Sequence, residues 1–191
     1  MKNAKSHFFM IFVIEKAKNI MRKYTLVWIA LAILLFTACK HKTLFKEVQA
    51  TGKFTMQLPE YMQATSELYN EGKYCIQYES DSMKVYLLVF DTSRENLNEK
   101  SLNDYYDSII AGPTSQGASV APPKSVFVNK DSTLQTEMAI TLNKTPVYYR
   151  IEVIATPRRF YYISLWCTMD KKEDRKEDFD KIMESFRDIG K

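Results

Sequence analysis

Residues 161–186 read YYISLWCTMDKKEDRKEDFDKIMESF, and the change of period inside this stretch decides the fold class. Residues 160–168 are aromatic and aliphatic, the composition of a strand. Beyond the charged run at 170–178 the period changes. Phe179, Ile182, Met183 and Phe186 fall on one stripe of a helix read over 173–189. Glu173, Asp174, Glu177 and Asp178 stand near its start, where the positive end of the helix dipole favours acids. A strand and a one-sided helix joined by a short loop must each bury an apolar face against something else.

Working backwards, residues 146–155 (PVYYRIEVIA) precede a turn at Pro157-Arg158, and 134–142 precede a turn at Asn143-Lys144. Turns this short make the last three strands an antiparallel meander. Further upstream, strands are read over 53–58, which stops at Pro59, and over 125–129 after a Pro-Pro loop. Those over 73–79 and 83–90 form a hairpin through Ser80-Asp81-Ser82. Ser101 and Asp104 form a capping pair ahead of Leu102, Tyr105, Tyr106, Ile109 and Ile110 at helical spacing. This helix is expected to stop at Gly112-Pro113. With no internal repeat and no second linker, residues 51–191 are expected to be one α+β domain: an antiparallel sheet of about six to seven strands with helices packed on it.

That element order, with the phrases FTMQLPEYM (54–62), SLNDYYDSII (101–110) and the opening stretch, resembles the PsbP/Mog-like (DcrB-like) α/β/α sandwich over about residues 50–188. A cystatin-like or NTF2-like curved sheet is the alternative. The PsbP/Mog-like family holds photosystem-associated subunits, a Ran-binding factor and many small bacterial lipoproteins. The resemblance implies a module that binds or supports an assembly, and it transfers no catalytic residue.

The charge is unevenly placed. Of 27 Lys/Arg and 23 Asp/Glu, six bases and one acid lie in residues 1–38, leaving 21 bases and 22 acids beyond. The basic character therefore belongs to the leader. Residues 24–38 (YTLVWIALAILLFTA) carry no charge and follow Arg22-Lys23, the layout of a secretory signal. The stretch is short against the ~20 residues of a membrane span. Leu35-Phe36-Thr37-Ala38-Cys39 then gives way to Lys40-His41-Lys42. This resembles the lipobox of bacterial lipoproteins, in which the leader is cut before the cysteine and the thiol is lipidated. The resemblance implies cleavage after Ala38 and lipid on Cys39, although Phe36 stands where that family more often has Leu. An uncleaved signal anchor is the alternative, and both tether the domain to a membrane. Met21-Arg22-Lys23 has the form of a signal-peptide start, so translation is expected to begin at Met21. Residues 39–50 are expected to be a polar tether. Without an acidic run after the cysteine, the expected address is the outer membrane, facing the periplasm.

Several chemistries lose their principal residue. The two histidines, His7 and His41, lie in the leader and the tether. The domain thus has no imidazole for triad catalysis, acid/base work or zinc ligation. The loop 112–119 (GPTSQGAS) has the glycine spacing of a phosphate loop but Ala118 in the lysine position, and it follows a helix instead of opening one. The acids at 170–178 lack the alternating spacing of a calcium loop. No enzyme, cofactor or metal is expected, and a near-neutral exported domain is a poor partner for nucleic acid.

Two features remain. Cys75 and Cys167 both fall on expected strands and are either a disulfide or two buried thiols. Aromatic residues and arginines crowd the last hairpin, and Tyr148, Arg150, Tyr162 and Trp166 are the candidate binding surface. Core packing competes for the same rings, since neighbouring residues of a strand point to opposite faces. The partner would be an envelope protein or, alternatively, a small ligand in a pocket between sheet and helix.

Overall fold

A computed structural model describes residues 42–50, 52–70, 76–97 and 101–190. Ala38, Cys39 and Cys75 lie outside the described residues, as does the leader. The folded unit spans Thr43–Lys191.

In chain order the unit begins with β1 (Phe45–Ala50), β2 (Phe54–Pro59), β3 (Gln63–Ala64), β4 (Ile76–Ser80) and β5 (Val85–Ser93). Helix α1 (Leu102–Ser115) follows, then β6 (Ser119–Val120), β7 (Lys124–Val128), β8 (Asp131–Leu142), β9 (Thr145–Ala155) and β10 (Arg159–Thr168). Helix α2 (Lys172–Glu184) and β11 (Arg187–Asp188) close the unit. The large sheet runs β3-β4-β5-β10-β9-β8-β6, with β7 also paired to β8, and every pairing is antiparallel. A small sheet has the order β1-β2-β11.

The period of two along each strand divides the core. Tyr161, Ile163, Leu165 and Cys167 of β10 bury against Phe54, Met56 and Leu58 of β2 and Phe179, Ile182 and Met183 of α2. Phe54, Tyr161 and Phe186 are fully buried and form a three-ring centre, with centroids 4.9–5.5 Å apart. On the opposite face, Phe160 packs with Ile151, Val153, Leu134 and Met138 beneath Tyr105, Tyr106 and Ile110 of α1. The result is α1, then the large sheet, then a layer shared by α2 and the small sheet.

The β7–β8 and β8–β9 hairpins turn on the same dipeptide. Asn129-Lys130 (φ 47° and 81°) and Asn143-Lys144 (φ 49° and 68°) each connect strands through two residues in the left-handed region. This backbone twist matches that of the flanking strands, and asparagine tolerates it well.

The structure differs from the sequence expectations in three places. Residues 45–50, read as polar tether, are β1, whose six residues all pair with β2. Only Ala50 of these is buried, so an edge strand of this kind gives little apolar alternation to read.

Helix α1 has the expected capping box: the Asp104 N–H donates to Ser101 Oγ at 3.1 Å and the Ser101 N–H donates to Asp104 at 3.1 Å. It runs on through Gly112-Pro113 to Ser115. The true stop is Gly117 (φ 85°), where the Ala118 and Gly117 N–H groups donate to the carbonyls of Pro113 and Thr114, both at 3.0 Å. These are the two bonds of a Schellman motif.

Helix α2 ends at Glu184, short of the expected 189. Ser185 Oγ caps it, donating to the Ile182 carbonyl at 2.6 Å while accepting the Gln57 N–H at 2.8 Å. Arg187–Asp188 then pair with Thr55 and Phe54. Phe186 continues the helical stripe, so periodicity alone does not show this break.

Candidate aromatic binding face

β5 and β10 pair in a register that sets Tyr86 against Trp166, Leu88 against Ser164 and Phe90 against Tyr162. All six residues lie on the face that α1 also occupies. Tyr86 stacks on Trp166 at 5.5 Å, and Trp166 stacks on Tyr149 of β9 at 5.7 Å. Four residues along the strands, Phe90 stacks on Tyr162 at 5.9 Å and takes Tyr69 edge-on at 5.1 Å. Tyr86, Phe90 and Trp166 are half-buried and belong to neither core cluster, and Tyr69 is exposed. Rings at these spacings support one another. The Tyr86 hydroxyl donates to Asp81 at 3.3 Å, and burial is the leading cause of its raised pKa. Tyr86, Phe90 and Trp166, with Tyr69 from the segment after β3, therefore form a partly open aromatic surface on the sheet.

The sequence placed Tyr148, Arg150, Tyr162 and Trp166 on one candidate surface, and the structure separates them. Tyr162 and Trp166 share the aromatic face. Tyr148 and Arg150 point to the opposite side, where they fasten α2. Tyr148 is buried, stacks on Phe179 at 6.3 Å and lies under Lys172 Nζ at 4.5 Å from the ring centroid. Arg150 pairs with Asp180 at 3.2 Å and Glu137 at 3.8 Å, while Lys172 donates to Glu137 at 2.8 Å. These cations and the Glu137 hydrogen bond hold the Glu137 carboxyl below its usual range. Tyr86, Phe90 and Tyr69 were not singled out in the sequence. The available signal was Val85-Tyr-Leu-Leu-Val-Phe90, whose even positions are two rings either side of a leucine.

Below the α2 clamp lies Glu152, a carboxyl with no exposed surface. Gln135 Nε2 donates to one oxygen, while Glu152 Oε2 and Arg150 Nε are buried without a hydrogen-bond partner among the described residues. Burial pushes this carboxyl up to about 7, against the opposing pull of Arg150. Cys167 is also fully buried, with no disulfide partner among the described residues, and burial raises its thiol to about 11. A thiol so shielded is a poor nucleophile.

Two surface clefts of modest size flank the sheet. One of about 330 Å³ lies beside Ser93, Arg158, Arg159 and Asp188, near Asp91, which takes Lys53 at 2.7 Å and Arg159. Another of about 260 Å³ lies beside Lys124, Gln135, Glu137 and Arg150. Among the described residues no group of three His, Cys, Asp or Glu could hold a metal, and no helix is long and apolar enough to cross a membrane.

No family model matches the chain, and no curated protein matches it. Solved structures do. A cyanobacterial PsbP from Synechocystis is 12% identical, with a TM-score of 0.58 over 79% of this chain and 97% of that one. The Ran-binding protein Mog1p of Saccharomyces cerevisiae is 11% identical, with a TM-score of 0.54 over 78% and 97%. LpqN of Mycobacterium tuberculosis, described as involved in cell envelope biogenesis, is 9% identical, with a TM-score of 0.52 over 78% and 92%. The domain is an α+β antiparallel fold of the PsbP/Mog-like kind. At these identities the likeness shows the fold alone.

Proposed function

We propose that this chain is a non-enzymatic binding module of the bacterial cell envelope. It is held to the outer membrane through lipid on Cys39, faces the periplasm and engages a protein partner through its aromatic face. The observation that carries the reading is the set Tyr86, Phe90 and Trp166 on the paired strands β5 and β10, joined by Tyr69 from the segment after β3 and left partly open outside both core clusters. Tyr and Trp are the side chains that most often dominate binding energy, because they bury much area at little entropy cost. The envelope setting is supported by the lipobox-like run 35–39 and by the likeness to LpqN. The non-enzymatic reading is supported by the absence of histidine from residues 43–191. The small-ligand alternative gains little from the cleft beside Arg158, Arg159 and Asp188, which is lined chiefly by charged and polar groups.

The test is co-purification of the tethered protein from membranes, with partners identified by mass spectrometry. Trp166→Ala combined with Tyr86→Ala is expected to lose the partner by about tenfold or more while the domain still melts cooperatively. A monomer without partner, or a partner retained by the double variant, contradicts the binding face. Labelled palmitate should enter the wild-type chain and not Cys39→Ser, and failure of that labelling contradicts the anchor.

A further inference from the structure

We propose that the end of the fold where β1 begins rests on the bilayer surface, with Leu44, Phe45 and Lys181 at the lipid headgroups. This rests on the anchoring of Cys39 proposed above and adds an orientation to it. Because β1 starts at Phe45, the tether is much shorter than the sequence suggested. Leu44 is already fixed, its carbonyl accepting the Glu60 N–H at 2.9 Å. Five Cα steps separate Cys39 from Leu44, a contour of ~18 Å at full extension. The headgroup layer takes up ~5–7 Å of that. A folded unit of this size has a radius of gyration of ~15 Å. What is left of the tether is shorter than that radius, so the Leu44 end is turned towards the bilayer and within reach of the headgroups.

The surface there suits such a position. Leu44 is 65% exposed, a large apolar side chain on a strand edge. Beside it the exposed Lys181 holds its ammonium 3.8 Å from the Phe45 ring centroid. Lys40, Lys42 and Lys46 flank the same segment in sequence, against Glu47 and Glu60. An apolar side chain among lysines is the pattern of an interfacial contact with anionic lipid.

The test is amide hydrogen exchange on protein purified from membranes and reconstituted into vesicles of phosphatidylethanolamine and phosphatidylglycerol. A variant with roughly twelve Gly/Ser residues between Lys42 and Thr43 gives the loosely tethered reference. Amides of residues 44–47 and 60–62 are expected to exchange about threefold or more slowly at native tether length than in the reference, with residues 86–92 unchanged. Leu44→Asp with Lys181→Glu at native length is expected to remove that protection. Equal rates in all three proteins overturn the orientation. Palmitate labelling of Cys39 separates the two ideas. If the labelling fails, the anchor and the orientation both fall; if Cys39 is labelled while the exchange rates are equal, the orientation alone falls.

Discussion

Glu152 shows how a single residue ties this core to pH. It sits on β9 with no exposed surface and a carboxyl raised to about 7, chiefly by burial. Arg150 and Gln135 favour its charged form, and Glu184 and Asp180 disfavour it. In the unfolded chain the same group ionises near 4.5. The folded protein therefore keeps a proton that the unfolded chain gives up between these two values. Stability from this group is complete below 4.5, falls as pH rises towards 7 and is level beyond. At 1.36 kcal/mol per pH unit the loss is about 3 kcal/mol. Glu152→Gln, which keeps a partner for Gln135, is expected to remove this fall. Urea unfolding of both proteins at pH 4.5, 6 and 7.5 measures it, and parallel pH profiles would contradict it.

At the scale of elements, two expectations follow from local geometry. Ser101→Ala removes one half of the α1 capping box and is expected to cost about 1 kcal/mol in urea unfolding; no change would mean that α1 is held by its packing alone. For the cysteines, Ile76 pairs with Val89, whereas Cys167 pairs with Val85, two strands away and ~13 Å further along. A disulfide needs Cα atoms ~4.4–6.8 Å apart, and Cys75 is the chain neighbour of Ile76. Titration of the denatured, unreduced protein is expected to find both thiols free, and one disulfide would contradict the strand register. The same elements show what was legible in the sequence. The meander of β8, β9 and β10 could be read because Asn143-Lys144 and Pro157-Arg158 punctuate long apolar alternations. β1 and β11 could not, because each is a sheet edge whose pairing partner, β2, is distant in sequence or carries the pattern itself. Of the candidate site, Trp166 and Tyr162 were legible as strand aromatics. Which of the crowded rings share a face with β5 depends on a register that only the folded sheet sets.

For the whole molecule, the two faces of the large sheet do different work. One is closed by the small sheet and by α2, clamped through Arg150, Lys172 and Tyr148. The other is covered by α1 over β8 and β9, while the rings on β5 and the outer part of β10 stay partly open. On this account the open part is where a partner sits, and chemistry is not expected anywhere on the domain. The most direct measurement is photocrosslinking in intact cells with a photoreactive phenylalanine analogue at position 86 or at position 127. Phe127 is 77% exposed on β7 and stands outside the aromatic set, which makes it the control. A discrete adduct of the same partner protein is expected from position 86 and none from position 127. An adduct from 127 alone, or none from 86 in cells that hold the membrane-bound protein, would contradict it.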